Sequence, residues 1–123
     1  IQVYFIPRDE FREVIPSAER LALGYFYVWW NGHGEITSAR ALIGTDQLPE
    51  LRSHVIREEL TQSLGLMDDS LDYEESIFYE GRSRATRYTR LDETIIEMLY
   101  RPELRAGMPV EEAVAILRSL DGD

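Results

Sequence analysis

The sequence contains no cysteine, which excludes disulfides, thiolate zinc sites and a cysteine nucleophile. It also lacks any apolar run near the roughly 20 residues that a membrane-spanning helix needs. Basic side chains are few, 13 against 23 acidic ones, for a formal net charge of −10. A surface that acidic repels phosphate backbones and anionic lipid headgroups, so the expected partner is protein rather than nucleic acid or a membrane. There is no internal repeat and no low-complexity segment. No G-x-S-x-G elbow, Walker loop or dinucleotide glycine pattern occurs. Paired carboxylates such as Glu58 and Asp68 are the residue types of a glycosidase, but nothing positions a sugar groove.

What is present suits one soluble globular domain: 123 residues, 44% hydrophobic and 29% charged. The first residues, Ile1-Gln-Val-Tyr-Phe-Ile6, are β-branched and aromatic and stop at Pro7, so they read as a strand cut from a longer protein. Asp9 to Val14 reads as a short helix closed before Pro16. Tyr25-Phe-Tyr-Val-Trp-Trp30 is apolar on both faces, as a central strand is. Asn31-Gly-His-Gly34 is a turn signal, and Ile36 to Ile43 follows as a second strand, giving an antiparallel hairpin. Pro49 to Leu64 is the clearest helix, with Leu51, Val55, Leu60 and Leu64 at helical spacing and Gly65 as its terminating glycine. A long polar stretch from Met67 to Arg90 holds one apolar island, Ser76-Ile-Phe-Tyr79. A second helix starts near Thr89, with Asp92 as capping partner and Leu91, Ile95, Met98 and Leu99 inward, and ends at Pro102. A last helix runs from Pro109 to Leu120 with Val110, Val114 and Leu117 as its apolar stripe. Strands first and helices after predict an α+β domain: a small mixed or antiparallel sheet on the Pro49 helix, then a long loop and C-terminal helices.

The first long helix ends Glu58-Glu-Leu-Thr-Gln-Ser-Leu-Gly-Leu-Met-Asp-Asp69. This phrase resembles the H-E-x-x-H-x-x-G-x-x-H site of metzincin zinc peptidases, with the glutamate at Glu59 and the glycine at Gly65. The spacing has a physical cause: residues i and i+4 share one helix face and aim two ligands at one ion, and the glycine turns the chain so that a third returns. The ligand positions here hold Glu58, Gln62 and Asp68. Further on, Ser76-Ile-Phe-Tyr79 and Leu91-Asp-Glu-Thr-Ile-Ile-Glu-Met-Leu-Tyr100 are similar to segments of the matrixin branch, which puts Phe78 in place of the Met-turn methionine. A narrower resemblance joins Glu-Glu-Leu-Thr-Gln-Ser-Leu-Gly-Leu, Ser-Ile-Phe and Leu-Tyr-Arg-Pro-Glu-Leu-Arg-Ala-Gly-Met to a bacterial family of domains of unknown function. That family implies an extracytoplasmic location, periplasmic or lipid-anchored, and supplies no activity.

Zinc prefers imidazole and thiolate, whereas oxygen donors favour harder ions. Glu58, Gln62 and Asp68 therefore predict no zinc and no cofactor; weak calcium, magnesium or manganese binding is the most they support. Glu59 becomes a vestigial general base with no activated water to act on. The expected function is a non-catalytic binding or scaffold module of a bacterial envelope protein. The alternatives are a hydrolase using Glu59 with a non-zinc divalent ion, and a purely structural domain. Each residue also has a plainer reading. Glu58 and Glu59 suit the solvated face of an acidic helix, Gln62 suits a polar plug capping a backbone group, and Asp68-Asp69 suit a turn cap. His33 reads as an exposed turn residue, His54 lies one turn before Glu58, and Tyr25, Tyr27, Trp29 and Trp30 read as core rather than as a peptide groove.

Overall fold

The computed structural model describes residues 1–81, 83 and 85–122. Asn31 makes the hairpin: its side-chain oxygen accepts from the backbone N–H of His33 at 2.9 Å and of Glu35 at 3.1 Å. Gly34 takes φ +77°, a conformation glycine adopts without steric cost. Strands β2 (Gly24–Trp30) and β3 (Ile36–Gly44) then run antiparallel from this turn. The first strand, β1 (Gln2–Ile6), pairs parallel with β3, so the sheet is three-stranded and mixed, in the order β1-β3-β2.

That order corrects one expectation. The apolar Tyr25–Trp30 segment lies at a sheet edge, and β3 is the central strand. Because β1 pairs with its other side, β3 takes the inner place, so Ala41, Leu42 and Ile43 are buried while Tyr27, Trp29 and Trp30 stay exposed. Tyr27, Trp29 and Trp30 are not core, whereas Tyr25 is partly buried and packs against it. Tyr27 and Trp29 lean on each other with ring centroids 4.8 Å apart, and the Arg40 guanidinium stands 5.4 Å from the Trp29 ring.

Register assigns the two faces. Tyr4, Leu42 and Tyr25 are paired neighbours on one face, where Phe11, Ile15 and Ala18 pack on Leu42. Phe11 comes from the short helix α1 (Phe11–Val14), which follows a 3-10 turn at Arg8–Glu10. Each such fully buried large side chain contributes about 1.5–3 kcal/mol. The opposite face receives α2 (Pro49–Gln62), which packs on β2 and β3. Gly24 permits the approach, because a Cβ there would meet Val55 Cγ1 at 2.3 Å and Glu59 Oε1 at 2.9 Å.

α2 departs from its expected apolar stripe: its buried residues are His54, Val55, Glu59, Thr61 and Gln62, while Leu64, just beyond it, is exposed. α3 (Arg90–Leu99) opens on a full capping box between Thr89 and Asp92, as the sequence predicts. α4 (Val110–Asp121) turns Val110 and Val114 outward, so only Leu117 of the expected stripe faces inward, with Ala113, Ile116 and Leu120. Among the described residues no helix is long and apolar enough to cross a membrane.

Candidate functional site

The C-terminal half of α2 and the chain that follows it bring the candidate residues together. Ser63 continues the last turn, and Gly65, at φ +119°, ends the helix and sends the chain back along it. Residues 68–70 then lie beside 78–80: Ser70 N–H donates to Phe78 O at 2.8 Å, and Glu80 N–H to Ser70 O at 2.9 Å. Gly65, Asp68 and Phe78 line one cavity of about 370 Å³. The three segments singled out in the sequence are thus neighbours in space.

Gln62 closes the loop onto the helix. Its Nε2 donates to Asp69 Oδ1 at 2.6 Å, and the glutamine is buried. The loop residue that meets the helix is therefore Asp69, while Asp68 is exposed and makes no hydrogen bond among the described residues. Gln62 does not cap a backbone group as its plain reading had it; it is tied to a side chain.

Glu59 points the other way from its plain reading too. It is 7% exposed, pressed against Gly24, and its carboxyl group takes no hydrogen bond among the described residues. Burial pushes its pKa well above the ordinary glutamate value, and the charges of Glu58 and Asp69 push in the same direction. Asp69 is raised as well, by burial first and then by Glu58, against the lowering pull of the Gln62 amide.

His54, one helical turn before Glu58, reaches it. It is a buried staple: Nδ1–H donates to Ala85 O at 2.6 Å and Nε2 stands 3.2 Å from Glu58 Oε2. Both nitrogens are engaged as donors only in the imidazolium, and the bond to Glu58 raises the histidine's pKa despite its burial. Tyr88, in the same segment, bonds Thr61 through its hydroxyl at 2.7 Å and lies under the Arg57 guanidinium. His33 is exposed in its turn, as read from the sequence.

Sequence reasoning missed two functions of residues it had named. The burial of Glu59 is set by Gly24, 35 positions away, and has no local sign. Asp92 was read as a cap for α3, yet it also accepts from Ser76 Oγ and, at 3.0 Å, from Ile77 N–H. That carboxylate fastens the Ser-Ile-Phe turn to α3.

The donors do not fit the zinc that the metzincin resemblance implies. The amide nitrogen of Gln62 faces its partner, and an N–H group cannot ligate a cation. Glu59 is biased toward its protonated form, and His54 is committed to Glu58 and Ala85. Among the described residues no three histidine or carboxylate side chains converge closely enough to hold an ion.

A family model described as "Protein of unknown function (DUF2927)" matches residues 1–119. No curated protein and no solved structure matches the chain.

Proposed function

Since the chain belongs to the DUF2927 family of proteins of unknown function, a membership that brings no activity with it, we propose that it is a non-catalytic, metzincin-like domain serving as a binding or scaffold module of a bacterial envelope protein. One observation carries this reading: the helix and the following loop, which a metal joins in the peptidases it resembles, are joined here by the Gln62–Asp69 hydrogen bond. The order of hairpin, α2, glycine turn, Ser76–Tyr79 turn and α3 supports the kinship, as does the shared cavity of Gly65, Asp68 and Phe78.

A second reading, a hydrolase using Glu59 with a calcium, magnesium or manganese ion, draws on the mutual repulsion of Glu58, Glu59 and Asp69, which a cation would relieve. Elemental analysis of the purified protein and a generic peptidase assay with each metal supplied decide between them. The expected result is no stoichiometric zinc and no metal-dependent cleavage. Cleavage that depends on metal and vanishes in Glu59→Gln would replace the binding-module reading with the enzymatic one.

A further inference from the structure

Away from Glu59, the hairpin turn, the end of α2, the end of α3 and the start of α4 enclose an apolar groove of about 720 Å³. Trp30, Ile36, Leu64, Met67, Tyr100 and Met108 supply its apolar walls. Two glycines shape one end. Gly34 and Gly107, at φ +77° and +76°, face each other so closely that a Cβ on Gly34 would lie 2.7 Å from Gly107 N, and one on Gly107 2.5 Å from His33 O. The turn and the 104–108 loop are therefore locked together, and the groove is a built feature.

Its walls stand in water. Trp30 is 62% exposed and Tyr100 64%. A small apolar ligand needs walls that cover most of its surface. An open groove with projecting aromatics and two methionines instead suits a polypeptide that brings its own cover. The charge around it gives the partner's sign. Arg105 is held by Glu112 at 3.0 Å and Arg101 by Glu103 at 3.2 Å, so both nearby cations are internally neutralised. Glu35 in the wall, Asp68 in the adjoining cavity that shares Gly65 and Met67 with the groove, and Glu111, two residues before the lining Ala113, have no such cation among the described residues. A second copy of this chain, at net charge −10, meets that rim with like charge.

We propose that this groove docks a basic segment of another protein, bulky apolar side chains entering between Trp30, Met67 and Tyr100 while flanking Lys or Arg side chains meet Glu35, Asp68 and Glu111. The inference rests on the binding-module reading and names the chemistry of the partner.

A randomised twelve-residue peptide library, selected on the wild-type protein and on the groove-filling variant Ala113→Trp, tests it. Wild type enriches peptides with Lys or Arg around Leu, Ile, Phe or Trp, and the filled variant does not. Synthesised hits shift tryptophan emission of the wild type, weaken with added salt, and bind at least tenfold less tightly to Tyr100→Ser. Tyr100 is mostly exposed, so that variant tests the wall even if Ala113→Trp fails to fold. Enrichment that is absent, indifferent to filling, or made of acidic or uncharged sequences overturns the proposal. So does a response to dodecanoate with none to any peptide, which marks a small-ligand pocket. A wild-type dimer in light scattering that Tyr100→Ser dissociates overturns it in favour of a second copy. None of these outcomes depends on the Glu59 assays, so failure of the groove and failure of the non-catalytic reading show separately.

Discussion

Among the described residues Asp92 and Glu59 are the two buried acidic side chains, and they are treated in opposite ways. Asp92 is 0% exposed and accepts from the Ser76 hydroxyl and from the backbone N–H groups of Ile77 and Thr89, the last at 2.9 Å. Glu59 is almost as buried and accepts nothing among the described residues, while two neighbouring carboxylates act to keep it protonated. A buried carboxylate costs several kcal/mol unless hydrogen bonds replace its water. Asp92 meets that condition and so can fasten turn to helix. Among the described residues Glu59 finds no such partner, and its burial opposes folding whenever solution conditions would ionise it. The difference separates the clamp at the start of α3, whose carboxylate is partnered, from the Glu59 carboxyl, which has no partner among the described residues.

The sharpest way to break this comparison is to remove the partnered group. Asp92→Ala strands the Ser76 hydroxyl and the Ile77 N–H in a buried turn and removes the capping box of α3. A loss of about 3–5 kcal/mol is expected in urea unfolding, from the loss of a buried charged acceptor and the donors it leaves unpaired. Asp92→Asn keeps one acceptor oxygen and should recover part of it. A loss under 1 kcal/mol for Asp92→Ala would mean the turn holds without its clamp.

Glu59→Gln tests the other half of the comparison and should act in the opposite direction. The folded state holds the Glu59 proton to a higher pH than the unfolded chain does. The unfolded state therefore binds fewer protons above the ordinary glutamate value, and stability declines as pH rises from there toward the raised folded value. Glutamine has the same shape and no charge to bury. The variant should match wild type near pH 4 and exceed it increasingly as pH rises, with a flatter profile overall. Some slope should persist, because Asp69 is raised for the same reason. Parallel curves for the two proteins from pH 4 to 8 would show that Glu59 is not held protonated by the fold.

These two residues also show what a sequence can disclose. Asp92 was legible because its capping role is local: Thr89 and Asp92 are three apart, and both bonds of the box lie within one turn. Its reach to Ser76, 16 residues back, depends on how the intervening loop folds and leaves no periodic trace. The hairpin was legible from Asn31 and Gly34, and the stop at Gly65 from its place after the helix. The edge position of β2 was not, because an aromatic run reads the same whether another strand or solvent lies beside it. Gly65, Asp68 and Phe78 line one cavity, but side-chain direction around the end of α2 is a tertiary property. Spacing alone chose Asp68 as the loop partner, and the chain's actual path puts its neighbour Asp69 against Gln62.

Gln62→Ala probes the join between the two regions. It removes the donor that holds Asp69 to α2 and leaves a small cavity in a buried position. A charge-assisted hydrogen bond whose acceptor can return to water is worth about 1–2 kcal/mol, and a loss in that range is expected by denaturant midpoint. Amide exchange should speed up for residues 66–70 more than for α3, because the Asp92 clamp is independent of Gln62. Equal acceleration in both places would show that the two regions are one cooperative unit.

The smallest expected effect belongs to His54, and its pH dependence distinguishes it from the others. The imidazolium bridges Glu58 and the Ala85 carbonyl, so its pKa is raised above the usual histidine value. A raised value means the folded state keeps the proton longer than the unfolded chain. The stabilisation is therefore complete below about pH 6.5 and is lost as pH climbs through the folded value. Glu58 is partly exposed, which screens the pair, and about 1 kcal/mol is a fitting scale for it. His54→Gln should accordingly cost about that much at pH 5.5 and progressively less toward pH 9, where wild-type histidine is neutral as well. Titration of the ring by two-dimensional NMR gives the same answer without a variant: a midpoint above the ordinary histidine value of about 6.5 is expected. A midpoint at or below it would mean that burial outweighs Glu58 and that α2 is joined to the Ala85 segment by a neutral ring.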